Sequence, residues 1–236
     1  MQLTFRDIMR IFKAPEHVVQ EWIEKKKMPC VKTNERYRFN YISLLEWALD
    51  NKINLTSQML ALSETQLQGN ILSGALKNGD IHYDVLGNNR EEVLKGVVDL
   101  LPLPEETDRS QLFEMLWSRE LMGSTAIGGG IAIPHVRNPI VLNIDQPVIT
   151  TCFLKNSIDF KALDHQLVST LFVVLTPSVK MHLALLARLA YCLQDAQLQK
   201  YLGQKAPREE ILAYFFVLES RLDAYKNGSG KGLNVA

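Results

Sequence analysis

Two runs in the second half of the chain, "QPVITTCFL" (146–154) and "LVSTLFVVL" (167–175), constrain the fold more than any other feature. Both are strand-length and rich in Val, Ile, Thr and Phe, with little alternation of apolar and polar residues. A strand with one wet face alternates with period two, so a strand without alternation is buried on both faces. Helices must then cover both sides of the sheet, and the sequence supplies them. "REEVLKGVVDLL" sets Val93, Leu94, Val97, Val98 and Leu101 on one face, behind Asn88 or Asn89 as a cap. Asp108 with Gln111 resembles a capping box for "RSQLFEMLWSREL". Ser178 caps the apolar "VKMHLALLARLAYCL", and Pro207 sits in the first turn of "APREEILAYFF". Strands interspersed with helices predict an α/β sandwich over residues 72–225.

The first 53 residues read differently. Thr4 with Asp7 marks a helix start, and Ile8, Ile11 and Phe12 follow at helical spacing. "KAPEHVVQEWIEKKK" begins a second helix, with Pro15 in its first turn and Val18, Val19, Trp22 and Ile23 on its apolar face. "MPCVKTNERYRFN" alternates around a turn at Thr33-Asn34, and "YISLLEWAL" closes as a third helix. Helix, tight turn, helix, hairpin, helix is a winged helix-turn-helix plan. Residues 54–71 form a helical or partly ordered connector between the two parts. The Gly-rich tail 226–236 is expected to fray.

Composition excludes several classes. Lys+Arg and Asp+Glu both number 26, so net charge selects no partner. The first 52 residues hold ten Lys/Arg against seven Asp/Glu, a mild basic bias. Three cysteines at long spacings, with no CxxC, fit a reducing compartment and neither a disulfide scaffold nor a zinc site. No secretory h-region opens the chain and no apolar run has membrane-spanning length, so a cytoplasmic protein without a membrane contact is expected.

Chemistry concentrates in "GSTAIGGGIAIPHVRNP" (123–139). It is not a dinucleotide fingerprint, because Ile133 stands where the last glycine of GxGxxG belongs. There is no nucleophile elbow and no HExxH, so hydrolase and metalloprotease readings lack support. "GSGK" in the tail is not a P-loop, since Tyr225 replaces its first glycine and Gly232 its Ser/Thr. What remains is a histidine preceded by glycines. Glycine lets backbone amides approach an anion closely, and a neutral imidazole is a nucleophile. Together these suggest a histidine that carries phosphate.

"SRELMGSTAIGGGIAIPH", followed downstream by "PSVKMHL", resembles the active-site signature of the type-2 enzyme IIA domains of the bacterial phosphoenolpyruvate phosphotransferase system (PTS). These form the fructose, mannitol and nitrogen-regulatory class, and the resemblance spans about residues 72–222. It implies a mixed sheet flanked by helices and no cofactor or metal. It makes His135 the phosphoryl acceptor from an HPr-type carrier, with onward transfer to a IIB domain or retention as a signal. Arg119 and His182 are the expected partners of the phosphoryl group, with Ser124, Thr125 and the amides of Gly128, Gly129 and Gly130 as further donors. Such carriers dock on a shallow apolar rim, so Ile131, Ile133 and Val136 are expected near the surface. The chain departs from the family pattern at Val136, where a small residue usually follows the histidine. Asp164, in "LDHQLV", resembles a structural turn of the family, and His82 and His165 are assigned to surface or structure.

Residues 3–48 resemble the excisionase-like helix-turn-helix module related to the MerR family, through Trp22, Lys27, Pro29, Arg36, Tyr37 and Arg38. That implies DNA contacts from His17, Gln20, Lys25, Lys27, Arg36 and Arg38, made by a homodimer. Physical chemistry is less generous: three lysines balance three glutamates between Pro15 and Lys27, and phosphate binding depends on displacing counterions with cations. Two function classes follow. One is a phosphoryl relay, either regulatory or sugar-specific; the other is a DNA-binding regulator governed by the state of His135.

Overall fold

A computed structural model describes residues 2–33, 36–51, 53, 69–136 and 144–226. The N-terminal unit begins with a strand that the sequence pattern does not announce, β1 (Gln2–Thr4). It is followed by helices α1 (Phe5–Phe12) and α2 (Glu16–Glu24), strands β2 (Val31–Thr33) and β3 (Arg36–Asn40), and helix α3 (Tyr41–Asp50). The strands form an antiparallel sheet in the order β1-β3-β2. Thr4 and Asp7 make a reciprocal capping box on α1, and the hydrogen bonds from the Thr4 side chain and backbone hold the Asp7 carboxyl below its ordinary range. Inside, Phe12, Trp22 and Trp47 pack edge to face and tilted at 5.5–6.4 Å, and the Trp47 indole N–H donates to the Lys26 carbonyl at 2.7 Å. The expected Thr33-Asn34 turn, the connector from 54 to 68 and the tail from 227 lie outside the described residues.

The larger unit runs α4 (Ile71–Asn78), β4 (Ile81–Val85), α5 (Arg90–Leu100), α6 (Arg109–Met122), β5 (Ala126–Gly128), β6 (Ile131–Ala132), β7 (Val148–Ile158), β8 (Val168–Leu175), α7 (Val179–Cys192), α8 (Ala196–Gly203) and α9 (Arg208–Lys226). Asn89, Asp108 and Ser178 each accept the capping bond expected of them. Helices α4 and α8 are additions to the sequence reading. Helix α4 spans eight residues including a glycine, too few and too weakly periodic to stand out from its connector. The sheet is mixed, in the order β4-β7-β8-β6-β5. Strands β7 and β8 are central and alternate between two cores, as unbroken apolar runs require. Phe172 and Val174 join the α4, α7, α8 and α9 side; Leu171, Val173 and Leu175 join the α5 and α6 side.

The two units share a core. Helix α3 packs on β5 and α7, and the apolar cluster containing Trp47 and Ala48 continues into Ile131, Leu189 and Leu193. A cleft of about 360 Å³ marks the seam, lined by Ala48, Ile53, the glycine turn and the end of α7.

Candidate functional site

Strand β6 delivers the histidine. Ile131, Ala132 and His135 pair with Thr170, Leu171 and Val174 of β8 in one continuous parallel register. The imidazole tautomer follows from its neighbour. Nδ1 lies 2.7 Å from the Ile133 carbonyl oxygen, which can only accept, so Nδ1 carries the proton and the lone pair sits on Nε2. The last turn of α6 brings Arg119, whose Nε–H donates to His135 Nε2 at 3.3 Å while Nη1 donates to the Gly123 carbonyl at 2.9 Å. The first turn of α7 brings His182, with its ring centroid 5.2 Å from that of His135. Three segments separated in sequence thus meet at one imidazole, with Arg119 on Nε2 and the His182 ring beside it. A lone pair on imidazole, beside a guanidinium, suits attack on an electrophile whose oxygens carry negative charge.

Three of the other expected donors, the Gly129 amide and the Ser124 and Thr125 hydroxyls, have protein partners. Gly128, Gly129 and Gly130 all have positive φ, and Gly129 and Gly130 are the two central residues of the β5–β6 hairpin. Positive φ at both central positions is what a type I′ turn demands. That turn sits at the far end of β6, five extended residues or roughly 16 Å from His135. The Gly129 amide donates to Asp164 at 2.9 Å. The Ser124 hydroxyl donates to the Phe160 carbonyl, and the Thr125 hydroxyl to Glu120 at 2.6 Å. The triple glycine forms the turn into β6, held by the Gly129 hydrogen bond to Asp164.

The expected apolar rim also needs correction. Ile131 is 5% exposed, Ile133 2% and Val136 0%. They lie in a strand with core on both faces, and Val136 packs into the α5–α6 side. The Val136 departure therefore points into the core. His135 is itself 5% exposed. The exposed apolar side chains in the Arg119 turn are Leu121 and Met122.

Glu120 belongs to the site without having stood out in the sequence. It is 1% exposed, accepts the Thr125 amide at 2.9 Å and the Thr125 hydroxyl, and pairs with Arg90 at 3.1 Å. A carboxylate between an Arg and a Thr in "SRELMGST" was its signal. Burial pushes the Cys152 thiol up to about 12 and raises that of Cys192 too, so neither supplies a thiolate at neutral pH. Among the described residues no cluster of His, Cys, Asp and Glu could hold a metal, and no helix is long and apolar enough to cross a membrane.

Residues 75–216, more than half of the chain, match the family model described as "Phosphoenolpyruvate-dependent sugar phosphotransferase system, EIIA 2". The chain belongs to this family. Within the EIIA type-2 group it is similar to the nitrogen regulatory protein of Pseudomonas aeruginosa, 38% identical over 60% of this chain and 91% of that one. It is also similar to the fructose-specific EIIABC component of Bacillus subtilis, 29% identical over 56% of this chain but only 21% of that larger protein. Among solved structures, the nitrogen regulatory protein IIA-Ntr of Neisseria meningitidis superimposes with a TM-score of 0.53 at 25% identity, covering 62% of this chain and 99% of that one. The EIIA type-2 match covers the mixed-sheet unit and the convergence of His135, Arg119 and His182. It begins after the N-terminal unit.

The six expected DNA-contact residues are all exposed, and three of them line one cleft. Gln20, Arg36 and Arg38 line a cleft of about 610 Å³ between α2 and the sheet, together with Arg6, Tyr37 and Glu16. His17, Lys25 and Lys27 are exposed but do not line it, and Lys25 is tied to Glu21 at 2.9 Å.

Proposed function

We propose that this protein carries a phosphoryl group on Nε2 of His135, received from the phosphohistidine of an HPr-type carrier, and uses it chiefly as a regulatory signal. The observation that carries this reading is the Nδ1 hydrogen bond to the Ile133 carbonyl, which leaves the Nε2 lone pair facing the Arg119 guanidinium. In the transfer, that lone pair forms the new N–P bond as the N–P bond of the carrier breaks. The carrier imidazole departs with the electron pair, and the Nδ1 proton of His135 stays in its hydrogen bond to the Ile133 carbonyl. Arg119 and His182 would neutralise charge on the phosphoryl oxygens, which is most of what phosphoryl transfer asks of a protein. The regulatory emphasis rests on the nitrogen regulatory relatives, one at 38% identity; a sugar-specific role would pass the group to a IIB domain. Incubation with phosphoenolpyruvate, enzyme I and an HPr-type carrier, followed by intact-mass measurement, is expected to show one added phosphoryl group. A mass that stays unchanged overturns the reading.

One observation favours a second role for the N-terminal unit. Arg6, Arg36 and Arg38 face the exposed Gln20 across the 610 Å³ cleft, an arrangement suited to a phosphate backbone lying between helix and strand. The unit would then act as a helix-turn-helix module, pairing through a homodimer to gather enough cations against the duplex. Because affinity follows the number of neutralised phosphates, replacing all three arginines by Ala should flatten the salt dependence of binding to random duplex DNA. The log–log slope should fall by about 0.9 for each phosphate that is no longer neutralised. Equal slopes for variant and wild type, or no binding by either, would remove DNA from the account.

A further inference from the structure

Arg90 opens α5 at its first position, directly after the Asn89 cap. A cation there opposes the helix dipole, so the helix itself gains nothing from it. Glu91 and Glu92 suit the same turn, and Glu92 supports the cap through Asn88 and Asn89. A local misfit of this kind is usually accounted for by a tertiary contact. Here the contact is Glu120: Arg90 Nη1 donates to its Oε1 at 3.1 Å, and the guanidinium sits over the Trp117 ring with its carbon 5.8 Å from the centroid. The Arg90 side chain is 14% exposed and that of Glu120 1%, so the pair is largely removed from water.

Two routes lead from Glu120 to His135. The first is covalent, since Glu120 is the residue after Arg119 and a fixed Glu120 fixes the turn that presents the Arg119 Nε–H to Nε2. The second is a relay of backbone hydrogen bonds. Oε2 of Glu120 accepts the Thr125 amide at 2.9 Å; the Thr125 carbonyl accepts the Ile133 amide at 2.9 Å; the Ile133 carbonyl accepts the Nδ1 proton of His135 at 2.7 Å. Both nitrogens of the imidazole are thus oriented by groups that Glu120 holds in place.

We infer that Arg90 is a positioning residue for the phosphoryl acceptor: it clamps Glu120, and through Glu120 sets the orientation of both the Arg119 guanidinium and the His135 ring. This deepens the phosphohistidine reading and rests on it for its kinetic part. Without the planar guanidinium clamp, the Arg119 turn and the ring drift, although every group that touches the phosphoryl is still present.

The test uses the full chain with Arg90→Gln, Arg90→Lys and Glu120→Gln. Single-turnover phosphorylation is followed by intact mass against carrier concentration, and side-chain ¹⁵N resonances of His135 and Arg119 are recorded without carrier. Arg90→Gln is expected to lower the maximal rate about ten- to a hundredfold, the scale of a small misplacement of reacting groups. The carrier concentration at half-maximal rate should stay within about twofold, because docking is untouched. The His135 and Arg119 resonances should move together, and Arg90→Lys, which retains the charge, should recover part of both effects and covers the case of a Gln variant that does not fold. Wild-type rate and unmoved resonances in Arg90→Gln overturn the inference. So does a rate loss matched in every variant by a loss of folded protein in urea titration. If wild type itself accepts no phosphoryl group, the phosphohistidine reading fails separately, and the resonances alone decide whether Arg90 orients the ring.

Discussion

His135→Ala is expected to yield a folded protein that accepts no acid-labile phosphoryl group from the carrier, with loss below detection by intact mass. The size of the effect follows from the geometry. Nε2 of His135 is the nitrogen that Arg119 faces, and no side chain can replace a nucleophile whose bond is being formed. Arg119→Ala and His182→Ala keep the nucleophile and remove charge stabilisation, so they should slow uptake by about 10²–10³, as loss of one preorganised donor generally does. The backbone of the site should survive in all three variants, because β6 is held by its register on β8 and not by the imidazole. Stable phosphorylation of His135→Ala would move the acceptor to another residue and defeat the assignment.

Glu219→Ala should be among the most destabilising single changes in the molecule, at about 3–5 kcal/mol, the usual cost of removing one partner of a buried ion pair. Glu219 is fully buried on α9 and pairs with the equally buried Arg188 of α7 at 2.6 Å. Its carboxylate also accepts the amides of Leu72 and Ser73, both at 2.8 Å, and the Ser73 hydroxyl at 2.6 Å. It therefore supplies the cap that Asn70 does not give α4. Asp223 stays within 2.9 Å of Arg188 and softens the loss. A double variant, Arg188→Met with Glu219→Leu, should lose less than the single change, since it removes the fully buried Arg188 charge together with its partner; the Leu72 and Ser73 amides lose their acceptor in both proteins, and Asp223 is partly open to water. Urea titration of the three proteins checks both expectations. A loss under about 1 kcal/mol for Glu219→Ala would mean that water reaches the network.

Helix caps, helix faces and the two central strands were legible because each is written in adjacent residues. Asn89, Asp108 and Ser178 cap the helices beside them, and unbroken apolar runs announce strands covered on both sides. The short elements were not. Strand β1 has three residues and gains its identity only from pairing with β3. Helix α4 owes its N-terminus to a carboxylate 146 residues away. The same limit applies to where the expected phosphate donors lie in space. Ser124, Thr125 and the three glycines sit close to His135 in sequence; in space the glycine turn lies at the far end of β6, whereas β5 runs back antiparallel and brings Thr125 beside Ile133.

By itself the sequence determined a recognisable EIIA type-2 pattern that includes Arg119, His135 and His182, and the layered class of the larger unit. Only the tertiary structure decided which nitrogen of His135 holds the lone pair, because that depends on the Ile133 carbonyl that its ring meets. Only it showed the triple glycine as the turn of the β5–β6 hairpin, since φ and partner become fixed when β6 docks on β8. It alone paired Arg90 with Glu120 across 30 residues and drew Arg188, Glu219 and α4 into one buried network. Side chains that are isolated charges along the chain acquire a role when burial removes the water that would otherwise satisfy them.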